Sequence, residues 1–185
     1  MILGIKKLHE LVKKDKLVEN LCERELNSPE GAGFDLRLAE VFELDTADDN
    51  YFLGVEERNT PDVVSVAIND NSKSEEENSF IFEPRKYYLI KTMEKVNLPT
   101  TLSGVIFPRT TLFRSGLALF NGVVQPGYSG ELSFGICNLG KSKIRVAFGA
   151  RVVHITFQEV LGEGNQYKGQ WQGGRVATDK VETQI

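Results

Sequence analysis

At 185 residues the chain has material for one well-cored domain and is short for two. Its 22 basic and 26 acidic residues leave a formal net charge of −4, and Lys and Arg are spread along the chain, which excludes the broad basic face that a polymeric nucleic acid requires. Cys22 and Cys137 lie far apart and only His9 and His154 accompany them, so neither a zinc cage nor a disulfide framework is suggested, and the thiols read as reduced in a cytoplasmic protein.

The amino terminus, MILGIKKLHELVKK, mixes charge into its apolar positions from Lys6 onward and reads neither as a signal peptide nor as a membrane span. Ile5, Leu8, Leu11 and Val12 fall at helical spacing with Lys6, Lys7, Lys13 and Lys14 outside, which predicts one short amphipathic helix packed on the body of the domain. After Pro29 comes GAGFDLRLAEVFEL, in which glycines give a tight lead into a strand and Phe34, Leu36 and Leu38 alternate with Asp35, Arg37 and Ala39. Asp35 is either a buried carboxylate holding a backbone turn or a polar group facing a site, and the structural role is the expectation. Residues 45–79 turn acidic and polar and read as solvated loops or hairpin tips, with one strand in PDVVSVAI; the consecutive Glu75, Glu76 and Glu77 read as part of such a tip rather than as a metal site.

The second half is rich in strand signals. FIFEPRKYYLIKT, LSGVIF, LALFNGVV, GELSFGICN, SKIRVAF and ARVVHITFQEV are short runs heavy in Val, Ile, Phe and Tyr, separated by Pro, Gly, Asn and Lys-Ser turns. Many short strands without intervening helices predict an all-β sandwich or barrel. The tail, GEGNQYKGQWQGGRVATDKVETQI, combines glycines with two aromatics and reads as a segment that orders over a ligand. Residues 1–162 are therefore expected to form the β domain with its short helix, and 163–185 a flexible segment closing over the site.

The densest chemistry lies between Phe107 and Asn138. Pro108-Arg109-Thr110-Thr111 ends a strand and opens a turn, offering a guanidinium, two hydroxyls and backbone N–H groups suited to a polyphosphate, and Arg114 adds a second guanidinium for charge developing at phosphorus. In LSFGIC, Leu132, Phe134 and Ile136 take one face of a strand and Glu131, Ser133, Gly135 and Cys137 the other. Gly135, and Gly122 before it, give up side-chain volume where something approaches the backbone. Together they outline a slot between two strands, closed at one end by Tyr128.

Five segments in order resemble the motifs of the trimeric dUTPase and dCTP deaminase superfamily: GAGFDLRL, PRTTLFRSG, NGVVQPGYSGEL, FGARVVHITF and, in the tail, YKGQWQGG, the last similar to the deaminase branch. The resemblance covers most of the chain, from Gly31 to Gly174, and implies a distorted β-barrel or jelly-roll-like subunit that forms a homotrimer with sites at subunit interfaces. It implies a deoxynucleoside triphosphate substrate with Mg²⁺ bound through the triphosphate and no metal ligands from the protein. Carried over by residue, Arg109, Thr110 and Thr111 hold phosphates, Tyr128 packs on the deoxyribose, and the backbone from Asn121 through Gly122 to Val124 reads the base. Tyr167, Lys168 and Gln172 contribute from the tail.

The departures from the motifs bear on the chemistry. Gln125 stands where the superfamily usually carries Asp; an amide can bond to sugar or water but is not a useful general base. Gly135 stands where deaminases place a proton-shuttling Glu. His154 takes the usual place of a Gln, either as a satisfied strand histidine or as a phosphate contact or base with a near-neutral pKa. The expected activity is dUTP diphosphatase, cleaving dUTP or a related nucleotide to the monophosphate and pyrophosphate with Gln125 and Arg114 at the reacting centre. The alternatives are a nucleotide-binding protein of the same fold without turnover and a dCTP deaminase.

Overall fold

The computed structural model of the protein describes residues 1–45, 47, 51–162, 164–178 and 181–183. The helix of the amino terminus is α1 (Ile5–Asp15), with Leu8 fully buried and Ile5, Leu11 and Val12 packed against the core. It ends at Lys16 in the left-handed conformation, with Lys13 and Lys14 in the last turn, where cations complement the helix dipole. A two-residue strand β1 (Val18–Glu19) and a single-turn helix α2 (Glu23–Asn27) follow; neither is announced by periodicity.

The strands that build the body are β2 (Phe34–Leu44), β5 (Val63–Ile68), β7 (Tyr87–Asn97), β8 (Leu102–Pro108), β9 (Leu117–Phe120), β10 (Val123–Val124), β11 (Ser129–Asn138) and β13 (Arg151–Glu159). A helical turn α3 (Thr110–Arg114) joins β8 to β9. Smaller strands β3 (Phe52–Leu53), β4 (Glu57–Asn59), β6 (Ser79–Phe82), β12 (Ile144–Ala147) and β14 (Glu182–Thr183) form two satellite sheets, β12-β6 and β14-β4-β3. The main sheet is antiparallel and curls into a half-barrel in the order β10-β8-β13-β2-β7-β11-β9, with β1 added to β7 and β5 to β2. The all-β expectation holds.

Three local expectations are corrected. LALFNGVV is not one strand: β9 pairs with β11 and β10 with β8, so the chain crosses between the two ends of the main sheet at Asn121 and Gly122. Nothing approaches within 4 Å of a Cβ placed at Gly122, so its lack of a side chain answers no close contact within the chain. The acidic stretch also holds more than one strand, since β3 and β4 precede β5; Thr46, Asp48, Asp49 and Asn50 of that stretch lie outside the described residues.

Strand β2 is where the sheet changes direction. Its first half pairs with β13 and its second with β7 and β5, with an irregularity between Leu38 and Glu40. Before the ladder with β7 begins at Leu38, two backbone N–H groups of β2 turn to buried carboxylates: Asp35 donates to Glu25 Oε2 at 3.0 Å and Arg37 to Oε2 of Glu94, a β7 side chain, at 2.7 Å. The Arg37 guanidinium completes the second arrangement through Nε to Glu94 Oε1 at 2.6 Å and Nη2 to the Asn20 carbonyl. Glu94 is fully buried, so its charge is tolerated only with these donors in place.

Arg37→Met is expected to lower stability in urea denaturation by about 3–5 kcal/mol, because it strands a buried carboxylate. Adding Glu94→Gln should restore part of that loss; equal stability of the single and double variants would show that the carboxylate is not the source.

Candidate functional site

The structure gathers the singled-out residues into two separate groups. The first lines a cavity of about 300 Å³ between β11 and the segment Gly122–Gln125, large enough for a flat ring and part of a sugar. Gly122, Val124, Gln125, Tyr128, Gly135 and Tyr167 all line it. Leu89, Val123, Leu132, Ser133 and Phe134 complete the sheet side, and Trp171, Arg175 and Val176 close it from the tail. Arg175, the charged residue in this wall, is paired with Glu182.

Each wall has a local cause. The alternation along β11 buries Leu132, Phe134 and Ile136 and leaves Glu131, Ser133 and Cys137 half-buried on the opposite face. Tyr128 is held by its hydroxyl, which donates to the Glu131 carbonyl at 2.5 Å, and its ring meets Tyr167 edge-on at 5.6 Å. Burial pushes the Tyr128 phenol up to about 12 against an opposing backbone hydrogen bond from Gly174, so it is a fixed neutral wall at any physiological pH.

The tail reaches the cavity because two glycines of QPGYSG let its backbone come close. A Cβ at Gly130 (φ +151°) would lie 2.6 Å from the Gly174 nitrogen and 2.7 Å from the Gly173 carbonyl carbon; one at Gly127 would lie 2.8 Å from Gln166 Cγ. Through that contact Tyr167 N–H donates to the Pro126 carbonyl at 2.7 Å and Gly173 N–H to the Ser129 carbonyl at 2.9 Å. Gln172 spends its amide on this seat, accepting from Ser129 N–H and donating to the Gly127 carbonyl, both at 3.3 Å, and lies outside the cavity wall. Lys168 is exposed and likewise outside it. The satellite sheet secures the far end: β14 pairs with β4, and the Arg58 guanidinium stacks 4.8 Å over the Trp171 ring.

The second group surrounds Asp35, which is 3% exposed at its side chain. Its carboxylate accepts from Arg109, from Arg151 Nη1 at 2.9 Å and from His154 Nδ1 at 2.9 Å, with Arg24 at 3.7 Å. Asp35 is thus an ion-pair hub of side chains rather than a brace for a backbone turn. Glu25, buried beside it, pairs with Arg24 at 2.6 Å and lies 3.7 Å from Arg151. Arg151 and His154 share this face although they are three positions apart, an odd spacing, because β13 is irregular between Arg151 and Val153 and buries Val152 and Val153 in succession.

Arg109 thus stands at the start of α3 with its guanidinium tied inward, while Thr110, Thr111 and Arg114 are exposed. None of the four lines the cavity, and His154 does not either. Asn121 is also outside it, its amide donating to the Ile106 carbonyl at 3.0 Å. Signals for Glu25, Arg151 and Trp171 existed in the sequence as charges and a lone tryptophan, but Glu25 meets the Asp35 backbone 10 residues away and Arg151 meets the Asp35 carboxylate 116 residues away, and no spacing rule connects them.

Burial lowers the His154 pKa and the nearby Arg109 charge does the same, against a backbone hydrogen bond with Ala32 and the Glu25 and Glu30 charges. Asp35, already matched by two guanidinium groups, holds the ring in place by accepting from its Nδ1–H.

The chain is a β protein whose curled antiparallel sheet carries a mostly apolar cavity closed by the chain's own tail. The sequence profile of a family described as dCTP deaminase-like matches residues 2–160, and the chain belongs to that family, within the dUTPase/dCTP deaminase superfamily. The dCTP deaminase of Pyrococcus furiosus is 33% identical over 108 residues, covering 57% of this chain and 69% of that protein. A dCTP deaminase, dUMP-forming, from Persephonella marina is 27% identical over 180 residues, covering 96% and 95%. The crystal structure of 2′-deoxycytidine 5′-triphosphate deaminase from Agrobacterium tumefaciens superposes with a TM-score of 0.62 at 17% identity. That match covers 84% of this chain and 47% of the other, about half its length, and is a likeness of fold.

The depressed His154 pKa fixes a pH dependence. The unfolded chain takes up a proton near pH 6.5 while the folded chain resists it, so stability is retained above that pH and falls as pH drops through the folded pKa. His154→Gln is expected to flatten that part of the curve of melting temperature against pH; an unchanged slope would assign the acid sensitivity to other groups.

Proposed function

We propose that the protein hydrolyses a pyrimidine deoxynucleoside triphosphate, dUTP or a close relative, to the monophosphate and pyrophosphate, with the Mg²⁺–triphosphate complex as substrate. The observation that carries this reading is the cavity wall: Gln125 is exposed at its edge, and no carboxylate or imidazole is among the described residues that line it. Deamination moves protons to and from the base and requires such a group. Hydrolysis at phosphorus makes a smaller demand, because its transition state is loose and catalysis is chiefly positioning and charge stabilisation, for which an amide orienting water suffices. The family's members named above are deaminases, one of them dUMP-forming, which supports a deoxynucleotide in the cavity.

The second reading, nucleotide binding without turnover, is supported by the same lack of a base in that wall. The two differ in one measurement. Pyrophosphate release from dUTP with magnesium is expected from the protein as it stands, accelerated at least about tenfold by Gln125→Asp, which supplies a general base. Binding of dUTP with no release over hours, and release gained only in Gln125→Asp, would establish the binder instead.

The proposed assembly is a homotrimer in which α3 of one copy faces the cavity of the next. Within one chain Arg109, Thr110, Thr111 and Arg114 are separate from the cavity, so each copy holds one half of a triphosphate site. Phe113 of α3, Phe107 before it, and Phe120 and Val123 after it in the chain are each at least half exposed, apolar surface that such an interface would cover. Phe113→Asp is expected to shift light-scattering mass toward the monomer and abolish turnover together; loss of turnover in an intact oligomer, or full turnover by a monomer, would contradict this arrangement.

A further inference from the structure

Gly135 lines the cavity, and the space its side chain would take is occupied by Tyr87, a partly exposed residue that borders Gly135 beside the cavity wall. A Cβ placed there would run into the Tyr87 hydroxyl and lie 2.9 Å from two carbons of the Tyr87 ring. Tyr87 comes from β7, two pairs further along, opposite Cys137, while Leu89 stands directly across from Gly135. Phe120 flanks Gly135 on the other side through β9 and holds the Tyr87 ring at 6.0 Å between centroids. Only a glycine allows the phenol to lie across the strand.

The Tyr87 hydroxyl has no hydrogen-bond partner among the described residues, and burial raises its pKa, so it remains a protonated phenol. Two residues from Gly135 on the same strand face, Ser133 lines the cavity, and its Oγ is buried and without a hydrogen-bond partner among the described residues. A buried hydroxyl left unpaired lowers stability unless a ligand engages it.

We propose that Ser133 and Tyr87 form a pair of neutral hydroxyls that reads the exocyclic group at position 4 of a pyrimidine base. This deepens the nucleotide reading above and rests on it. A hydroxyl donates to a carbonyl oxygen and accepts from an amino group with equal ease. The pair therefore admits both a 4-oxo and a 4-amino pyrimidine, where a carboxylate at position 135 would repel the carbonyl and favour the amine.

The test is calorimetric titration with non-hydrolysable α,β-imido forms of dUTP, dCTP and the 2-pyrimidinone analogue, which lacks a 4-substituent. The full chain is expected to bind the first two within about tenfold of each other and the analogue more weakly. Tyr87→Phe and Ser133→Ala should each weaken dUTP and dCTP by roughly 3- to 10-fold, the worth of one hydrogen bond, and leave the analogue unchanged. Ser133→Ala should also melt no lower than the parent, since it removes an unpaired buried hydroxyl; this separates recognition from a structural role. Equal affinities for all three ligands in both variants, or equal weakening of all three, overturns the proposal while leaving the nucleotide reading intact. Failure of the parent protein to bind any of the three overturns both.

Discussion

The buried carboxylate of Asp35 is the constraint on which the second half of the site depends. It sits in β2 with its own N–H held by Glu25, and its oxygens collect Arg109, Arg151 and His154 from two other strands' worth of sequence. Three guanidinium groups around two buried carboxylates leave the cluster with surplus positive charge before the exposed Glu30 is counted. A buried carboxylate so placed fixes where Arg109 begins α3, and with it the exposed hydroxyls and guanidinium that follow. The interaction does not add much net stability, since each ion loses its hydration; what it supplies is position.

That hub explains a spacing that strand periodicity alone misreads. In a regular strand Arg151 and His154 would face opposite sides, and their joint appearance in one motif would have no geometric meaning. The irregularity after Arg151 inserts one buried valine and brings both to Asp35. The principal strands of the second half, the amphipathic helix and the apolar face of β11 were legible because each is a local pattern of period 2 or 3.6. The hub was not, because its members are joined by register between distant strands, which local periodicity does not encode.

The same distinction separates the tail's chemistry from its support. Glycine and aromatic content marked residues 163–185 as a segment able to fold over a ligand, and the glycines of QPGYSG were visible as a turn. Their use as a seat, with Gly130 against the backbone of Gly173 and Gly174, emerges only when both segments are in place. The acidic stretch was read as solvent-facing loop because its composition is that of a loop. Yet β4 within it pairs with β14 and sets Arg58 on Trp171, so part of its role is to hold the tail against the cavity. Composition describes what a segment exposes; it does not describe what the segment grips.

A mostly apolar cavity and a charged turn, kept apart in one chain, would divide the work of the proposed triphosphate site. The base and sugar need shape, a few hydrogen bonds and exclusion of water, which an uncharged wall of Tyr128, Ser133 and aliphatic residues provides at no cost in ion desolvation. The phosphates need cations already fixed in place, because charge that moves during reaction costs reorganisation energy. Placing the cations in the cavity of the same chain would bury unpaired guanidinium groups whenever the ligand is absent. Tying Arg109 to Asp35 on a separate face avoids that penalty, and in the proposed trimer, where the two faces would meet between copies, assembly becomes a condition of the proposed chemistry. A carboxylate at position 125 or 135 would add an acid or base but also a buried negative charge near the ligand's own. The chain has an amide at one position and a phenol across the other, which keeps the base end neutral and shifts the proposed chemistry to phosphorus, where positioning accounts for most of the rate.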